Sequence, residues 1–282
     1  MRIRNHQYFL TPKKLVSLAA LMLSLSGTVS NHAKAAPRDE VRVYTDSIEE
    51  KGEWGLEMHF NTVPRPRVSV LSAGEPRAIN GLIVTPELSY GLSDTVELEF
   101  GFLLPRVRLD DGSNLQVVPH ARAKWIPKKA NATGTTGDWF WGGILEWSPS
   151  PYRRGVTTED ASSYLSVRPL LGYRTSTWLF AGNLILEWPM GLRNTAASVA
   201  RPEFAPAVKV LRTFSDRFAT GLEYHGEWGS ARKFSASTEQ SHTLYWIFER
   251  KKPFWMSLGL GHGLNRNSGG FSVKGSIEIS LD

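Results

Sequence analysis

Hydrophobic and polar residues alternate along much of the chain. In EWGLEMHFN (53–61), apolar residues hold the even-numbered positions, and glutamate, glycine, histidine and asparagine hold the odd-numbered ones. TVELEFGFLL (95–104) and RFATGLEYHGEW (217–228) show the same alternation. A period of two places the two sets on opposite faces of a β-strand. The pattern therefore predicts strands with one apolar face and one polar face.

Segments of this kind recur along the chain, and about twelve can be counted. Beyond the N-terminal region, no apolar run approaches the ~18–20 residues that a membrane helix needs. The chain is therefore predicted to be all-β. The predicted strands cover residues 53–62, 80–90, 95–104, 115–126, 139–148, 163–173, 177–188, 203–213, 217–228, 239–249, 254–262 and 271–281.

The connections between the predicted strands alternate in length. Short turns such as GLSD (91–94) and RTS (174–176) follow even-numbered strands, whereas longer polar loops such as 63–79 follow odd-numbered ones. The connection PKKANATGTTGD (127–138) departs from this pattern because it is long for a turn. An even strand number with alternating short turns and long loops is typical of bacterial outer-membrane barrels. We therefore predict a transmembrane antiparallel up-and-down β-barrel of about twelve strands, with both termini on the periplasmic side.

Aromatic residues bracket several of the predicted strands. In WLFAGNLILEW (178–188), the two tryptophans share the apolar face, and Asn183 and Glu187 lie on the other face. Ten residues at ~3.3 Å each, in a tilted strand, span roughly 25 Å, which is the height of a lipid-facing band between two aromatic girdles. Interfacial tryptophan is favoured because its ring is apolar while its N–H reaches water. The predicted girdle residues are Trp141, Trp147, Trp178, Trp188, Phe218 and Trp228.

The N-terminus has the three parts of a secretory signal peptide. Residues 1–14 are basic without an acid, residues 15–27 form a short apolar run, and Ala33 and Ala35 provide a small-residue cleavage site. We therefore expect a signal peptide over 1–35 and export to the outer membrane. Residues 36–52 then form either a periplasmic tail or a plug in the lumen, and 53–282 form the barrel.

The charge of the whole chain is misleading for the mature protein. The formal net charge is +6, but five of the 33 basic residues precede residue 36, so 28 basic residues remain against 27 acidic ones. This balance removes the main argument for nucleic-acid binding. The chain has no cysteine, which excludes a disulfide framework, a thiolate metal site and a cysteine nucleophile.

Two stretches carry a resemblance. DEVRVYTDSIEEKGEWGLEMHFN (39–61) and LIVTPELSYGLSDTVELEFGFLLP (82–105) resemble Gram-negative outer-membrane barrels, and in particular the transporter family that is named after the phenol meta-cleavage pathway. The resemblance implies an outer-membrane location, the barrel fold and folding by the barrel-assembly machinery, but not a cargo. One departure is the C-terminus, IEISLD, which lacks the final aromatic residue that such barrels present to this machinery.

The polar faces of the predicted strands would line the lumen. If the third and fourth strands pair as a hairpin, Glu97 is expected to face Arg122 and Glu99 to face His120. Rings of acidic and basic groups can select polar or ionic solutes, or they can neutralise one another in a closed interior. The predicted lumen residues are Glu57, Glu97, Glu99, His120, Arg122, Lys124, Glu187, Lys209, Glu223 and His225. Six further charged residues share the inward polar parity: Glu53, Glu87, Arg217, Glu227, Lys274 and Glu278.

The sequence shows no catalytic or metal-binding motif. Ser241 and His242 are adjacent and so point to opposite faces of a strand, and His225 and Glu223 share a face without a neighbouring serine. LDDGSN (109–114) is typical of a turn more than of a Ca²⁺ loop. We therefore predict no catalytic residue, no metal and no cofactor.

A channel for passive passage of small solutes is the predicted function, and its selectivity is expected to depend on the charged lumen. About eight strands make a filled barrel and about sixteen an open porin, so twelve leaves both an open and a plugged interior possible. The alternative is a closed structural barrel or a lipid-modifying one of the lipase or deacylase type. The expected partners are outer-membrane lipids, the assembly machinery and an unidentified solute, without nucleic acid.

Overall fold

A computed structural model gives the architecture of the chain. The structure describes residues 41–65, 77–109, 112–115, 117–132, 136–149, 163–190, 202–230, 241–265, 268 and 270–281. The predicted signal peptide, 1–35, lies outside the described residues. Among the described residues, no helix is long and apolar enough to cross a lipid bilayer.

Fourteen strands are present in the described residues, of which twelve are long and two are short. The short ones are β4 and β11. In chain order the strands are β1 (Trp54–Arg65), β2 (Arg77–Ser93), β3 (Val96–Leu109), β4 (Gly112–Leu115), β5 (Val118–Lys128), β6 (Asp138–Pro149), β7 (Ser163–Arg174), β8 (Trp178–Met190), β9 (Glu203–Thr213), β10 (Phe218–Gly226), β11 (Gly229–Ser230), β12 (His242–Arg250), β13 (Trp255–Gly263) and β14 (Phe271–Leu281).

The twelve long strands form a closed antiparallel barrel. Each pairs with the next long strand along the chain, and β14 pairs with β1 to close the ring. The short strand β4 extends the β3 hairpin, and β11 adds to the edge of β9. The predicted all-β, up-and-down barrel of twelve strands is therefore confirmed. Closure pairs every long strand on both sides, so the sheet has no open edge.

Burial alternates along the strands as the sequence pattern predicted. In β5, Val118, His120, Arg122, Lys124 and Ile126 are buried, whereas the residues between them are partly or largely exposed. Buried positions in a barrel point to the interior because the outer face has no second layer to cover it. The exposed set contains most of the tryptophans, so the outer surface is apolar and the inner surface carries the charges.

Short turns gather at one end of the barrel, which we call the turn end. The residues Asp94–Thr95 connect β2 to β3 there. The first residue of β1, Trp54, and the last residue of β14, Leu281, also lie at this end. At this end Gly52, with φ of +87°, lets the chain turn into β1, and its N–H donates to the carbonyl of Gly91 at 2.7 Å. Position 91 needs glycine because a Cβ there would collide with the backbone carbonyl of Glu50.

The interior near the turn end is apolar as well as charged. Phe140 and Ile144 of β6 and Leu179 of β8 point inward and are buried, although alternation predicted polar residues on this face. They pack against Val43 and Tyr44, which precede β1 and lie inside the barrel. An all-polar inner face was therefore the wrong expectation for this half of the lumen, because a segment of the chain fills it and needs apolar partners.

Candidate functional site

All ten predicted lumen residues lie on the inner wall. Each is at most 7 % exposed, and their strands range from β1 to β10 around the ring. The charged groups therefore contact one another and the chain inside the barrel, not an open water column. Their predicted part in solute selection depends on what can displace these contacts.

Arg122 of β5 is the centre of the larger charge cluster. Its guanidinium donates to Glu99 on β3, to Glu87 Oε2 on β2 at 3.2 Å and to Glu146 Oε2 on β6 at 3.2 Å. Arg168 of β7 also donates to Glu146 Oε2, at 2.5 Å. The cluster thus connects five consecutive long strands, β2, β3, β5, β6 and β7, across the inner wall. A planar guanidinium suits this role because its donors point in several fixed directions.

The register between β3 and β5 corrects one prediction. Glu97 pairs with Lys124 and Glu99 pairs with Arg122, whereas Glu97 was expected opposite Arg122 and Glu99 opposite His120. His120 instead faces Gly101 and reaches Glu87, with 2.7 Å between His120 Nε2 and Glu87 Oε1. The error is a shift of two residues, and such a shift keeps every side chain on the same face. Alternation therefore cannot detect it.

Glu223 of β10 is the centre of the second cluster. Its carboxylate accepts from Lys274 on β14, lies 3.3 Å from Lys209 Nζ on β9 and lies 2.6 Å from His225 Nε2 on the same strand. Lys209 also donates to Glu249 Oε1 on β12 at 3.0 Å. One carboxylate thus serves two ammonium groups and an imidazole in a buried place, where unpaired charge is costly.

Sequence reasoning missed three members of these clusters, Glu146, Arg168 and Glu249. Each is buried on the inward face of its strand. A signal was present for Glu146, since it lies between two outward apolar residues, Leu145 and Trp147, as Glu187 lies between Leu186 and Trp188. Arg168 and Glu249 follow the same parity rule in β7 and β12.

A segment outside the sheet, residues 41–52, lies in the lumen between the two clusters. Tyr44 is 1 % exposed, and its backbone is held by the side chain of Asn183 on β8. The Tyr44 N–H donates to Asn183 Oδ1 at 2.6 Å, and Asn183 Nδ2 donates to the Tyr44 carbonyl at 3.0 Å. We call residues 41–52 the lumenal segment. It satisfies its backbone groups on wall side chains because it has no neighbouring strand.

Four cationic side chains surround the ring of Tyr44. Their charged ends lie 5.1 to 5.6 Å from the ring centroid, which is within the range of cation–π attraction. One of them belongs to the lumenal segment itself and three belong to the wall. The ring therefore joins the lumenal segment to Arg122 and Arg168 of the larger cluster. The four are Arg42, Arg122, Lys124 and Arg168.

Ion pairs and backbone contacts anchor the rest of the lumenal segment. Arg42 pairs with Glu57 on β1, and Asp46 Oδ1 lies 2.5 Å from Arg174 Nη2 on β7. The other Asp46 oxygen accepts from the N–H of Ala130 at 2.9 Å. Lys274 Nζ donates to the Val41 carbonyl at 2.8 Å. The segment therefore has charged contacts on opposite sides of the ring.

Glu49 lies in the last third of the lumenal segment, beside the turn end. Its N–H donates to Glu97 Oε2 at 2.6 Å, and Ser89 Oγ donates to its Oε1 at 3.4 Å. Burial raises the pKa of the Glu49 carboxyl above its usual range, and the carboxylates of Glu53 and Glu57 add to this effect. The charged form of Glu49 is thus disfavoured where the segment is docked.

A cleft lies between the lumenal segment and the wall. It encloses about 360 Å³ of empty space, part of it open to solvent. Six carboxylates and only two basic side chains, Arg42 and Lys124, line the cleft, so negative charge predominates in it. The carboxylates that line it are Glu49, Glu57, Glu87, Glu97, Glu99 and Glu278.

The predicted girdle residues lie on the outer face. Trp141, Trp147, Trp178 and Phe218 are exposed, and Trp188 and Trp228 are partly buried. Trp228 follows the end of β10, and its indole N–H lies 3.4 Å from the Tyr224 hydroxyl. At the turn end the aromatic residues pair across strands, with ring centroids 4.7 Å apart for Trp54 and Tyr90, 5.7 Å for Trp125 and Trp141, and 5.0 Å for Trp139 and Tyr173.

The histidines that were weighed as catalytic have other contacts. His242 Nδ1 lies 2.7 Å from the Tyr224 hydroxyl, and His225 lies against Glu223 in the second cluster. The Ser241 carbonyl accepts from the N–H of Glu227 at 2.9 Å. The His242 and Ser241 contacts join β10 to β12 at the end of the barrel opposite the turn end, whereas the His225 contact lies within β10.

Comparison with known proteins shows the fold. Neither a protein-family model nor a curated protein sequence matches the chain. The resemblance to the transporter family named after phenol meta-cleavage is therefore not confirmed. Among solved structures, the COG4313 outer membrane channel from Pseudomonas putida F1 matches with a TM-score of 0.56 and 13 % identity, over 86 % of this chain and 100 % of that one. KdgM porin (TM-score 0.47, 11 % identity, 81 % of this chain and 99 % of that one) and NanC porin (0.48, 7 %, 81 % and 99 %) are also similar.

Proposed function

We propose that this protein is an outer-membrane channel that conducts small polar or cationic solutes when the lumenal segment leaves its place. The observation that carries the proposal is the nature of the lumen filling. The interior is filled by a strandless segment that is bound through side chains, and not by the barrel's own wall alone. Such a segment can be displaced without breaking the barrel.

The wall supports a preference for cations. The described strands carry eight buried glutamates but only five buried lysines and arginines. Without the lumenal segment, the inner wall therefore has an excess of negative charge. Rings of carboxylates favour cations in a pore. The eight glutamates are Glu57, Glu87, Glu97, Glu99, Glu146, Glu187, Glu223 and Glu249, and the five basic residues are Arg122, Lys124, Arg168, Lys209 and Lys274.

The outer face supports a lipid environment. Exposed apolar side chains cover it, and aromatic residues lie toward both ends of β6, β8 and β10. This is the surface that a barrel presents to hydrocarbon between two aromatic girdles. Placement in the outer membrane, export by a signal peptide over 1–35 and folding by the barrel-assembly machinery form part of the same proposal.

Planar-bilayer recording of the refolded mature chain, residues 36–282, tests the proposal across a salt gradient. We expect rare openings in the wild type and much more frequent ones in Asn183→Leu, which loses both hydrogen bonds to Tyr44. The reversal potential of the open state should have the sign for cations. Asn131→Leu, at an exposed position between β5 and β6, is the matched control and should behave as the wild type.

A closed structural barrel is the second candidate, and the nearly complete burial of the wall charges favours it. Under this alternative the lumenal segment is permanent filling. A silent bilayer for both the wild type and Asn183→Leu, with each protein shown to be folded and inserted, would support the closed barrel and contradict the channel.

A further inference from the structure

Three carboxylates stand side by side on the inner wall where the barrel closes. Glu57 of β1 pairs directly with Glu278 of β14 on one side and with Glu87 of β2 on the other. Directly opposed residues on neighbouring strands have their Cβ atoms only about 4.5–5.5 Å apart, and like charges in such positions repel. A row of three therefore requires cations close by.

The protein's own cations neutralise the row only in part. Arg42 pairs with Glu57 through Oε2, and Arg122 lies 3.2 Å from Glu87 Oε2. The other oxygen of Glu57, Oε1, has no hydrogen-bond partner. It is also shielded from water, since Glu57 is only 7 % exposed. A buried carboxylate oxygen in this state is unusual because the loss of its hydration is costly. This oxygen points toward His59.

His59 completes a set of three potential metal ligands. It lies two residues after Glu57 on the same face of β1, and its Nε2 is 3.5 Å from Glu57 Oε1 and 3.3 Å from Glu87 Oε2. One ligand atom from each of the three residues lies within 4.8 Å of the others. All three are buried and stand on paired strands, so the backbone fixes their spacing.

We propose that Glu57, His59 and Glu87 bind one divalent first-row transition-metal ion in the lumen. An imidazole nitrogen with two carboxylate oxygens suits Zn²⁺, Mn²⁺, Fe²⁺ or Co²⁺, whereas Ca²⁺ and Mg²⁺ prefer oxygen ligands throughout. The ion would take the free Oε1 of Glu57 while Oε2 keeps its pair with Arg42. It would likewise use Glu87 Oε2, which it would share with the guanidinium of Arg122, while Glu87 Oε1 keeps its contact with His120.

The site borders the acidic cleft, part of which is open to solvent. Glu57 and Glu87 both line the acidic cleft beside the lumenal segment, together with Glu49, Glu97, Glu99 and Glu278. A negative cleft raises the local concentration of cations and so directs them to the ligands. The site does not depend on whether the barrel conducts solutes.

Calorimetric titration of the refolded, chelator-treated mature protein with Zn²⁺ and with Co²⁺ tests this site. We expect one ion per barrel, and a visible Co²⁺ absorption spectrum that indicates a nitrogen ligand. His59→Ala and Glu57→Gln should each weaken the metal affinity by at least about tenfold. Substituting even a residue that only hydrogen-bonds to a metal ligand lowers metal affinity by about that factor. His262→Ala, on the exposed face of β13, is the matched control and should bind as the wild type.

Two results would overturn the proposal. One is equal binding of Zn²⁺ by the wild type and by folded His59→Ala. The other is binding of Ca²⁺ as tight as that of Zn²⁺ and unaffected by His59→Ala, since this would show only general attraction to the acidic cleft. Circular dichroism and heat-dependent gel mobility establish that each variant has folded. If His59→Ala does not fold, His59→Asn keeps a polar group of similar size and replaces it in the comparison.

Discussion

The side chain of Asn183 hydrogen-bonds both the N–H and the carbonyl of Tyr44, which is 139 residues earlier in the chain. An asparagine side chain carries a donor and an acceptor side by side. It can therefore bond both the N–H and the carbonyl of one residue, as a neighbouring β-strand does. Asn183 thus gives the lumenal segment a single fixed position on the wall. Further contacts lie on either side of that point, among them those of Val41, Arg42, Asp46 and Glu49.

Asn183→Leu should release the lumenal segment. The loss of two hydrogen bonds at about 1 kcal/mol each raises the population of the undocked segment about 30-fold. The chain has no cysteine, so a Val43→Cys background offers a single thiol that is buried while the segment is docked. We expect the rate of thiol labelling to rise by that factor in Asn183→Leu and to stay unchanged in Asn131→Leu. Equal rates in all three proteins would contradict the anchoring role of Asn183.

Glu223→Gln should destabilise the barrel strongly. The substitution leaves Lys209 and Lys274 buried around a neutral amide, and breaking a buried ion pair costs about 3–5 kcal/mol. Denaturant-induced unfolding in lipid vesicles, followed by tryptophan fluorescence, measures the change in the free energy of unfolding. Glu50→Gln, at an exposed position, should change it by less than about 0.5 kcal/mol. A small effect of Glu223→Gln would mean that water already reaches this cluster.

The docking of the lumenal segment should tighten as pH falls through the raised pKa of Glu49. The carboxyl is charged above that pKa, and burial disfavours the charged form, so the unfavourable contribution to docking is present at high pH and disappears on protonation. Glu49→Gln removes this contribution at every pH. The difference in Val43→Cys labelling between Glu49 and Glu49→Gln backgrounds should therefore be largest at neutral pH and shrink on acidification. A difference that grew on acidification would show that the sign is wrong.

Arginine on the outer face should be costly in the middle of the apolar band and tolerated at its edge. Leu222 lies near the centre of the band and Phe218 lies at the turn end, and both are exposed on β10. Arginine at the midplane of a bilayer costs about 2–4 kcal/mol, against about 0–1 kcal/mol near the interface. Unfolding of Leu222→Arg and Phe218→Arg in vesicles compares the two depths directly. Equal costs would indicate that this surface does not face lipid.

The sequence predicted the strands well because alternation is a local property. Asn183 and Glu187 were expected to point away from the aromatic face, and both are buried in the lumen. The register of Glu97 was wrong because a shift of two residues leaves the faces unchanged. The connection between β3 and β5, which contains β4, adds residues that hide the register further.

The position of the lumenal segment could not be predicted from the sequence in the same way. Its side-chain contacts are spread over many strands, for example β3, β5, β7, β8 and β14, and none of them leaves a periodic signal. The inward Phe140 and Ile144 were a usable hint, since WFWGGIL (139–145) is apolar on both faces where an empty lumen would require polar residues. The Glu57, His59 and Glu87 set was hidden for a different reason, because it forms only across the pairing of β1 with β2.

The anchoring of the lumenal segment on distant strands sets an order for folding. Val41 contacts Lys274, 233 residues later, and Tyr44 contacts Asn183. The segment therefore precedes every described strand in the chain but cannot make all its contacts until the last strand is in place. Contacts of such sequence separation form late because the intervening chain must first be ordered. A fluorescent probe at Val43→Cys should thus change after the tryptophan signal of the strands during refolding. The residues directly before β1 would then be the last to reach their native place, and their docking marks a barrel that has closed.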